Sequence, residues 1–303
     1  MHEAHARTVA HDLDSLREMY RTDPITGADR LVAPGRAARL GPRPHGCPFC
    51  GGHEQMTPSE TGRIAARDGD ARGALAEWAA RSFPNTFPLT DPHEIVVPTP
   101  RHVTSWRELT LPELQDAIVL ILRRRAALVR DGFYVHVFVN DGVAAGASLA
   151  HAHAQLVVLA ASEQTTRLTH GVRTDAPDGC VLCAQLDGPL LIERGLHHSL
   201  LAHPVPRMAG GLLITANSHD WTINDEHPAE LAALLHRALQ AADPGDLNIW
   251  LVADESRQAH WYMEIQPRTA NLAGVELALG LNVSAAEPAD TATTLRERLA
   301  QSR

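Results

Sequence analysis

Two stretches of this 303-residue chain carry the same chemistry-bearing residues in the same order, and no other feature constrains the fold as much. In the first, Cys47-Pro-Phe-Cys50 is followed by His102 and then by His151-Ala-His153-Ala-Gln155. In the second, Cys180-Val-Leu-Cys183 is followed by His219 and then by His260-Trp-Tyr262-Met-Glu264. The intervening segments correspond too. Ile95–His102 matches Gly211–His219, a helix beginning at Thr110 matches one over Ala229–Ala241, and Phe133–Val139 matches Leu247–Val252. The chain has 18 histidines, so one such set has an ordinary explanation; two sets in the same order do not.

The repeat predicts two tetrahedral Cys2His2 zinc sites assembled from distant ligands. One is Cys47, Cys50, His102 and His151; the other is Cys180, Cys183, His219 and His260. Each ties an N-terminal knuckle to the central sheet. A zinc-free relic is the alternative for the second site. A thioredoxin-like redox pair is the rival for Cys47/Cys50, but the expected βαβ setting is missing. The sequence shows no export signal and only four cysteines, which points to a cytoplasmic chain with metal-bound thiols rather than disulfides.

Net charge is -9, which argues against a general nucleic-acid binder, and no apolar run approaches the roughly 20 residues that cross a bilayer. An anionic ligand must then be met by local groups. Two segments offer them. Asn140-Asp-Gly142-Val-Ala-Ala-Gly146-Ala-Ser148 is a glycine-rich approach whose backbone N–H groups can come close to an anion. Pro34-Gly-Arg36-Ala-Ala-Arg39 sets guanidinium forks on a Pro/Gly-rich loop, either as a phosphate clamp or as a solvated basic loop.

Strand alternation puts His151, His153 and Gln155 on one face, with Ala152 and Ala154 on the other. The bland alternative is a buried strand with two satisfied histidines. Thr110-x-x-Glu113 is a capping box, and Leu114, Ile118, Ile121 and Leu122 mark the apolar face of the helix it starts. His93–Pro98 reads as a strand, whereas Arg81-Ser-Phe-Pro-Asn85-Thr-Phe-Pro is too rich in proline for regular structure. The chain divides into a polar, irregular arm (1–30), a first half (31–161), a linker (162–179) and a second half (180–303).

With those motifs in place, the chain resembles the galactose-1-phosphate uridylyltransferase-like family of the histidine-triad superfamily, over about residues 31–300. The resemblance implies an α+β fold. Its two pseudo-repeated histidine-triad-like halves, antiparallel sheets with helices, merge into one pseudo-symmetric unit. It also implies a nucleotidyl-histidine at His153, a uridine-contacting segment at Phe83-Pro-Asn85, a phosphate loop at Asn140–Ser148, and sugar contacts around Glu264-Ile-Gln-Pro-Arg268 and Ala273-Gly-Val275-Glu276. Ala152 and Ala154 replace the family's Pro and its Gly or Ser. Val275 and Leu272 replace bulkier residues, which points to a sugar other than galactose.

Imidazole is both a nucleophile and a leaving group near neutral pH. A zinc ligand cannot also attack, so His151 binds metal and His153 is the nucleophile. Ser148, the Gly146 region, Arg36 or Arg39, and Gln155 are expected to stabilise phosphoryl charge. Gln155 stands where histidine-triad hydrolases carry a titrating third histidine, which favours a transferase. Tyr262 occupies the corresponding place in the second half, so one reacting centre is expected. Glu276 is assigned to sugar hydroxyls, or else is a solvated helix or strand residue. The expected activity is transfer of a nucleoside monophosphate, UMP in the first reading, between a nucleotide sugar and a sugar 1-phosphate by a homodimer. A dinucleoside polyphosphate phosphorylase and a non-catalytic zinc-stabilised nucleotide-binding protein are the rivals.

Overall fold

The computed structural model describes residues 16–301 apart from 35, 37–45, 68, 70, 177–178 and 225. A short hairpin, β1 (Tyr20–Thr22) and β2 (Asp29–Leu31), lies in the arm expected to be irregular. The turn has a local cause. Asp23 accepts hydrogen bonds from the Ile25 N–H and the Thr26 hydroxyl, and Gly27 takes a positive φ of 71°.

The first half then contributes β3 (Gly62–Ala65), β4 (Trp78–Pro84), β5 (His93–Val97), β6 (Phe133–Asp141) and β7 (Ala154–Ala160). The second contributes β8 (Leu191–Arg194), β9 (His198–Ala202), β10 (Leu212–Ala216), β11 (Leu247–Asp254) and β12 (Ala259–Pro267). They form one antiparallel sheet in the order β3-β4-β5-β7-β6-β11-β12-β10-β9-β8, which has the same connectivity read from either edge. The halves join where β6 pairs with β11, Phe138 opposite Trp250 and Asn140 opposite Asn248. They are therefore halves of a single sheet.

Alternation along the strands sorts side chains between two faces. Val96, Val137, Leu156, Ile214, Ile249 and Leu251 face the helices Leu111–Leu128 and Pro228–Ala241, which pack on that side and on each other. Each helix crosses over between matching strands of its half. The first starts at the expected capping box, with the Glu113 carboxylate accepting the Thr110 N–H at 2.8 Å. Leu114, Ile118, Ile121 and Leu122 are buried as the periodicity required. Each such side chain is worth about 1.5–3 kcal/mol of burial, so this layer fixes the sheet that positions the site.

The Pro-rich segment corrects an expectation. Trp78 to Phe83 is buried strand, and only Pro84 marks its end. A terminal proline removes no interior ladder bond, so the strand survives it. Arg81 is held inside by Thr57 Oγ1 at 2.6 Å and Glu60 at 3.3 Å. Residues 162–179 carry a short helix, Glu163–Arg167, and bury Thr165, Thr169 and Val172.

Candidate functional site

Both Cys/His sets come together. Cys47 Sγ lies 3.3 Å from His151 Nδ1, and Cys50 Sγ lies 3.3 Å from His102 Nδ1 and 3.7 Å from His151 Nδ1. In the second half, Cys180 and Cys183 lie 3.5 Å from His260 Nδ1, and Cys183 lies 3.6 Å from His219 Nδ1. All four ligand atoms of each cluster fall within 4.8 Å of one another. A thiolate and an imidazole on one tetrahedral zinc stand ~3.5 Å apart, given bonds of about 2.3 and 2.0–2.1 Å, so the donor sets fit that ion.

The outer ring nitrogens support the same assignment. His151 Nε2 is 3.3 Å from the Thr99 carbonyl, His260 Nε2 is 3.2 Å from that of Ala216, and His219 Nε2 is 3.1 Å from that of Gln258. A carbonyl accepts only from N–H, so the lone pair sits on Nδ1, facing the sulfurs. Thr99 is itself held by Glu113, whose Oε1 accepts the Thr99 hydroxyl at 2.6 Å. The cap of the long helix thus braces a cluster histidine. Burial and Cys47 push the Cys50 thiol up to about 11, and burial and Cys180 do the same to Cys183.

The strand bearing the HxHxQ motif begins only at Ala154. At Ala152 the backbone has left the ladder, its N–H bonded to the Val103 carbonyl at 2.8 Å, so His151 and His153 sit on the lead-in. His153 Nδ1 lies 2.7 Å from the His151 carbonyl, which makes Nδ1 the protonated nitrogen and leaves the lone pair of the neutral ring on Nε2. The residue is 5% exposed. Phe49, from inside the Cys47 knuckle, stands edge-on to His153 at 5.3 Å and to His151 at 5.9 Å.

Gln155 is oriented by a residue the sequence reading took only as part of a strand. The Leu89 N–H donates to His93 Nδ1 at 2.9 Å, so His93 Nε2–H donates to Gln155 Oε1 at 3.1 Å. The Gln155 oxygen is thereby turned toward His93, leaving its NH2 as the free end of the amide. Burial pushes His93 down to about 4, so it is neutral near pH 7; the nearby Arg36 charge acts in the same direction. Asn85 lies beside it, Nδ2 at 3.2 Å from His93 Nε2, with Oδ1 accepting the Phe87 N–H at 2.9 Å. Arg36 donates to the Phe87 carbonyl at 3.3 Å. Arg39 lies outside the described residues.

Asn140 stands one residue before the end of β6, its Oδ1 accepting from Asn248 Nδ2 at 2.9 Å across the seam. Gly142 and Gly146 take φ of 94° and 89°. A Cβ on Gly142 would stand 2.1 Å from the Asp246 carboxylate, which accepts the Ala144 N–H and pins the loop. Ser148 is half-buried beyond that turn. Glu276 lies in the first turn of the helix Gly274–Leu279, its carboxylate accepting the Ala273 N–H at 2.9 Å. Among the described residues, no hydrogen bond or ion pair joins it to His153.

Register identifies the second-half counterparts. Ile95 and Leu213 pair with Gln155 and Glu264, and Phe83 and Leu201 pair with Ile95 and Leu213. Gly211 and His203 therefore stand where the first half has His93 and Asn85. The backbone repeats as well: Asn85 N–H to the His93 carbonyl at 2.7 Å, His203 N–H to that of Gly211 at 2.9 Å. Tyr262 Oη donates to the Leu168 carbonyl at 2.9 Å, and burial pushes its pKa up.

A mirrored sheet with one Cys2His2 cluster per half and one HxHxQ lead-in defines a class. In fold this chain is similar to solved structures of an ADP-glucose phosphorylase and of a uridylyltransferase. Over 91% of its length it is 24% identical to the ADP-glucose phosphorylase of Arabidopsis thaliana, covering 92% of that protein. Its structure matches the crystal structure of an ADP-glucose phosphorylase from Arabidopsis thaliana with bound ADP-glucose. The TM-score is 0.73 at 24% identity, over 92% of this chain and 97% of the other. A uridylyltransferase structure matches with a TM-score of 0.70 at 22% identity, over 93% and 99%. No family model matches the chain. No helix among the described residues is long and apolar enough to cross a membrane.

Proposed function

We propose that this chain is a nucleotidyltransferase that takes a nucleoside monophosphate from a nucleotide sugar onto His153 Nε2 and hands it to a phosphate acceptor. The observation that carries this reading is the 2.7 Å contact of His153 Nδ1 with the His151 carbonyl, which presents Nε2 as the nucleophile. Nε2 bonds to the α-phosphorus as the bridging P–O bond breaks, and the sugar 1-phosphate departs with that electron pair. The ring becomes cationic with Nδ1 still protonated, and the His151 carbonyl stabilises the charge. An oxygen of the second phosphate then attacks phosphorus, the N–P bond breaks, and the neutral ring returns.

Neither half-reaction needs a proton moved, because the leaving and entering groups are phosphates. A glutamine therefore suffices at position 155. Its outward NH2 donates to a phosphoryl oxygen but does not titrate. Ser148, Arg36, Arg39 and the amides around Gly146 supply further donors, Asn85 and Asn140 flank the nucleotide, and Glu276 serves the sugar. Zinc belongs in both Cys2His2 clusters, where four protein ligands leave it a structural role.

The relative named ADP-glucose phosphorylase favours an adenine nucleotide sugar as donor and inorganic phosphate as acceptor. The similarity in fold to a uridylyltransferase keeps UMP transfer to a sugar 1-phosphate as the second reading. A homodimer belongs to the same reading, with the exposed series Leu277, Leu279, Leu281 and Val283 as its contact strip. So does a cytoplasmic setting, where the four cysteines stay reduced.

Intact mass after incubation with ADP-glucose or UDP-glucose is the test. An adenylyl adduct discharged by inorganic phosphate supports the first reading. A uridylyl adduct discharged by sugar 1-phosphate supports the second. No adduct with either donor overturns both.

A further inference from the structure

The two Cys2His2 clusters differ in what stands behind one histidine of each. In the second half, β11 and β12 are joined only by Glu255–Gln258. Gln258 takes φ 49° and ψ 43°, the left-handed region, and no other non-glycine among the described residues has a positive φ. A residue with a Cβ stays in that region only where its surroundings fix it. Here the turn aims the Gln258 carbonyl at His219 Nε2, 3.1 Å away. Thr174 Oγ1 closes the arrangement, 3.2 Å from His219 Nε2 and donating to the same carbonyl at 3.4 Å. The His219 N–H therefore meets two acceptors while Nδ1 faces Cys183. Thr174 is itself anchored to the cluster. The Val172 carbonyl accepts the His260 N–H at 2.8 Å, the Gly171 carbonyl accepts the N–H of Val181 inside the knuckle at 2.9 Å, and Arg173 bridges to Ala259.

His102 has no such brace. Its Nδ1 faces Cys50 at 3.3 Å, its ring is exposed where His219 is half-buried, and among the described residues no acceptor meets its Nε2. The cause lies in the connections. Between β6 and β7 the chain runs from Gly142 to His153 and carries the glycine loop, so no tight turn stands behind His102. His151 and His260 are matched, each with one carbonyl on its outer nitrogen, so the contrast rests on His102 and His219. An outer hydrogen bond orients a metal-bound imidazole and raises its basicity, and losing one costs about 10–100-fold in metal affinity. We infer that Thr174 and the Gln258 carbonyl are positioning groups that lock His219 onto the second zinc, and that the first cluster gives up its zinc first.

The order has a consequence. His151 belongs to the first cluster, and its carbonyl holds His153 Nδ1. Zinc shortage then loosens the half that carries the candidate nucleophile and spares the other. The inference rests on zinc in both clusters and does not require nucleotidyl transfer.

The test is a stepwise titration of the full-length, zinc-loaded protein with EDTA, each step followed by iodoacetamide and peptide mapping, since a thiolate held by zinc is shielded from the reagent. Cys47 and Cys50 should be alkylated at an EDTA concentration about tenfold below that for Cys180 and Cys183. Thr174→Val should lower the second-cluster midpoint about tenfold, and Thr174→Ser, which keeps the hydroxyl, should restore it. Gln258→Ile should act like Thr174→Val, because a branched side chain resists the left-handed region. Gln258→Gly keeps both turn and carbonyl and should leave the midpoint in place. Simultaneous or reversed release overturns the inference, as do wild-type midpoints in both Thr174→Val and Gln258→Ile. An equal drop in Gln258→Gly and Gln258→Ile also overturns it, because the side chain then does the work. Purified protein without zinc overturns the metal reading as well. Adduct formation at His153, read separately by mass, keeps a failure here distinct from a failure of nucleotidyl transfer.

Discussion

The two halves of this molecule share a scaffold and differ at four positions that decide the chemistry. In the first half the lead-in to β7 carries His153, Gln155 follows, and His93 and Asn85 stand behind them. In the second half the equivalents are Tyr262, Glu264, Gly211 and His203. A Cβ on Gly211 would already stand 2.7 Å from Pro206 Cβ and 3.0 Å from Gln266 Oε1, so no imidazole fits where His93 orients Gln155. Tyr262 spends its hydroxyl on the Leu168 carbonyl. Both halves carry a Cys2His2 cluster, and only the first has a histidine at the position of the candidate nucleophile.

That comparison breaks most visibly at the nucleophile. His153→Ala should lower turnover by about a thousandfold or more, with zinc content and folding near wild type. Tyr262→Phe should keep turnover within about twofold and cost about 1 kcal/mol of stability, measured by urea unfolding. A large activity loss in Tyr262→Phe would place chemistry in the wrong half.

The metal clusters come next. Cys50→Ser should remove one of two zinc ions, lower the Tm, and cut turnover about a hundredfold, because the knuckle carries Phe49 against His153. Cys183→Ser should also remove one zinc and lower the Tm, with turnover within about tenfold of wild type. Metal analysis beside kinetics separates the two, and equal activity losses would show that the clusters do not divide labour this way.

His93 gives a smaller effect. His93→Phe removes the hydrogen bond that fixes the Gln155 amide, so kcat should fall roughly 10- to 100-fold with little change in KM and with both zinc ions retained. If KM alone rises, His93 belongs to substrate binding and its orienting role fails. The reciprocal change, Gly211→His, should destabilise by about 1–3 kcal/mol through overpacking and create no second centre.

Acid should act on both halves. Burial holds His93 and His136 down to about 4, and His203 likewise, against about 6.5 in an unfolded chain. Their folded pKa values are lowered, so the stability they contribute is full above about pH 6.5 and is lost as pH falls toward 4. Each contributes at most about 3 kcal/mol. Urea midpoints measured between pH 7.5 and 4.5 should fall steadily, and a flat profile would contradict the burial of these rings.

The repeat, the helix with its capping box, and both Cys2His2 sets were legible in the sequence because each rests on spacing. The closeness of His151, His153 and Gln155 follows from the same spacing, although the strand starts later, at Ala154, than alternation implied. Phe49 and His93 were not, since their roles depend on which strands become neighbours. His93 meets Gln155 only because β5 pairs with β7 in one register. The strand β4 was obscured by prolines, only one of which falls within it.

The central claim is that nucleotidyl transfer runs through His153 and through no residue of the second half. Peptide mapping by mass spectrometry, after incubation of the full chain with ADP-glucose or UDP-glucose and quenching at alkaline pH, tests it most directly. The account predicts one nucleotidyl group per chain, on the peptide containing His153, and none in His153→Ala. A nucleotidyl group on the Tyr262 peptide, or one that persists in His153→Ala, would contradict it.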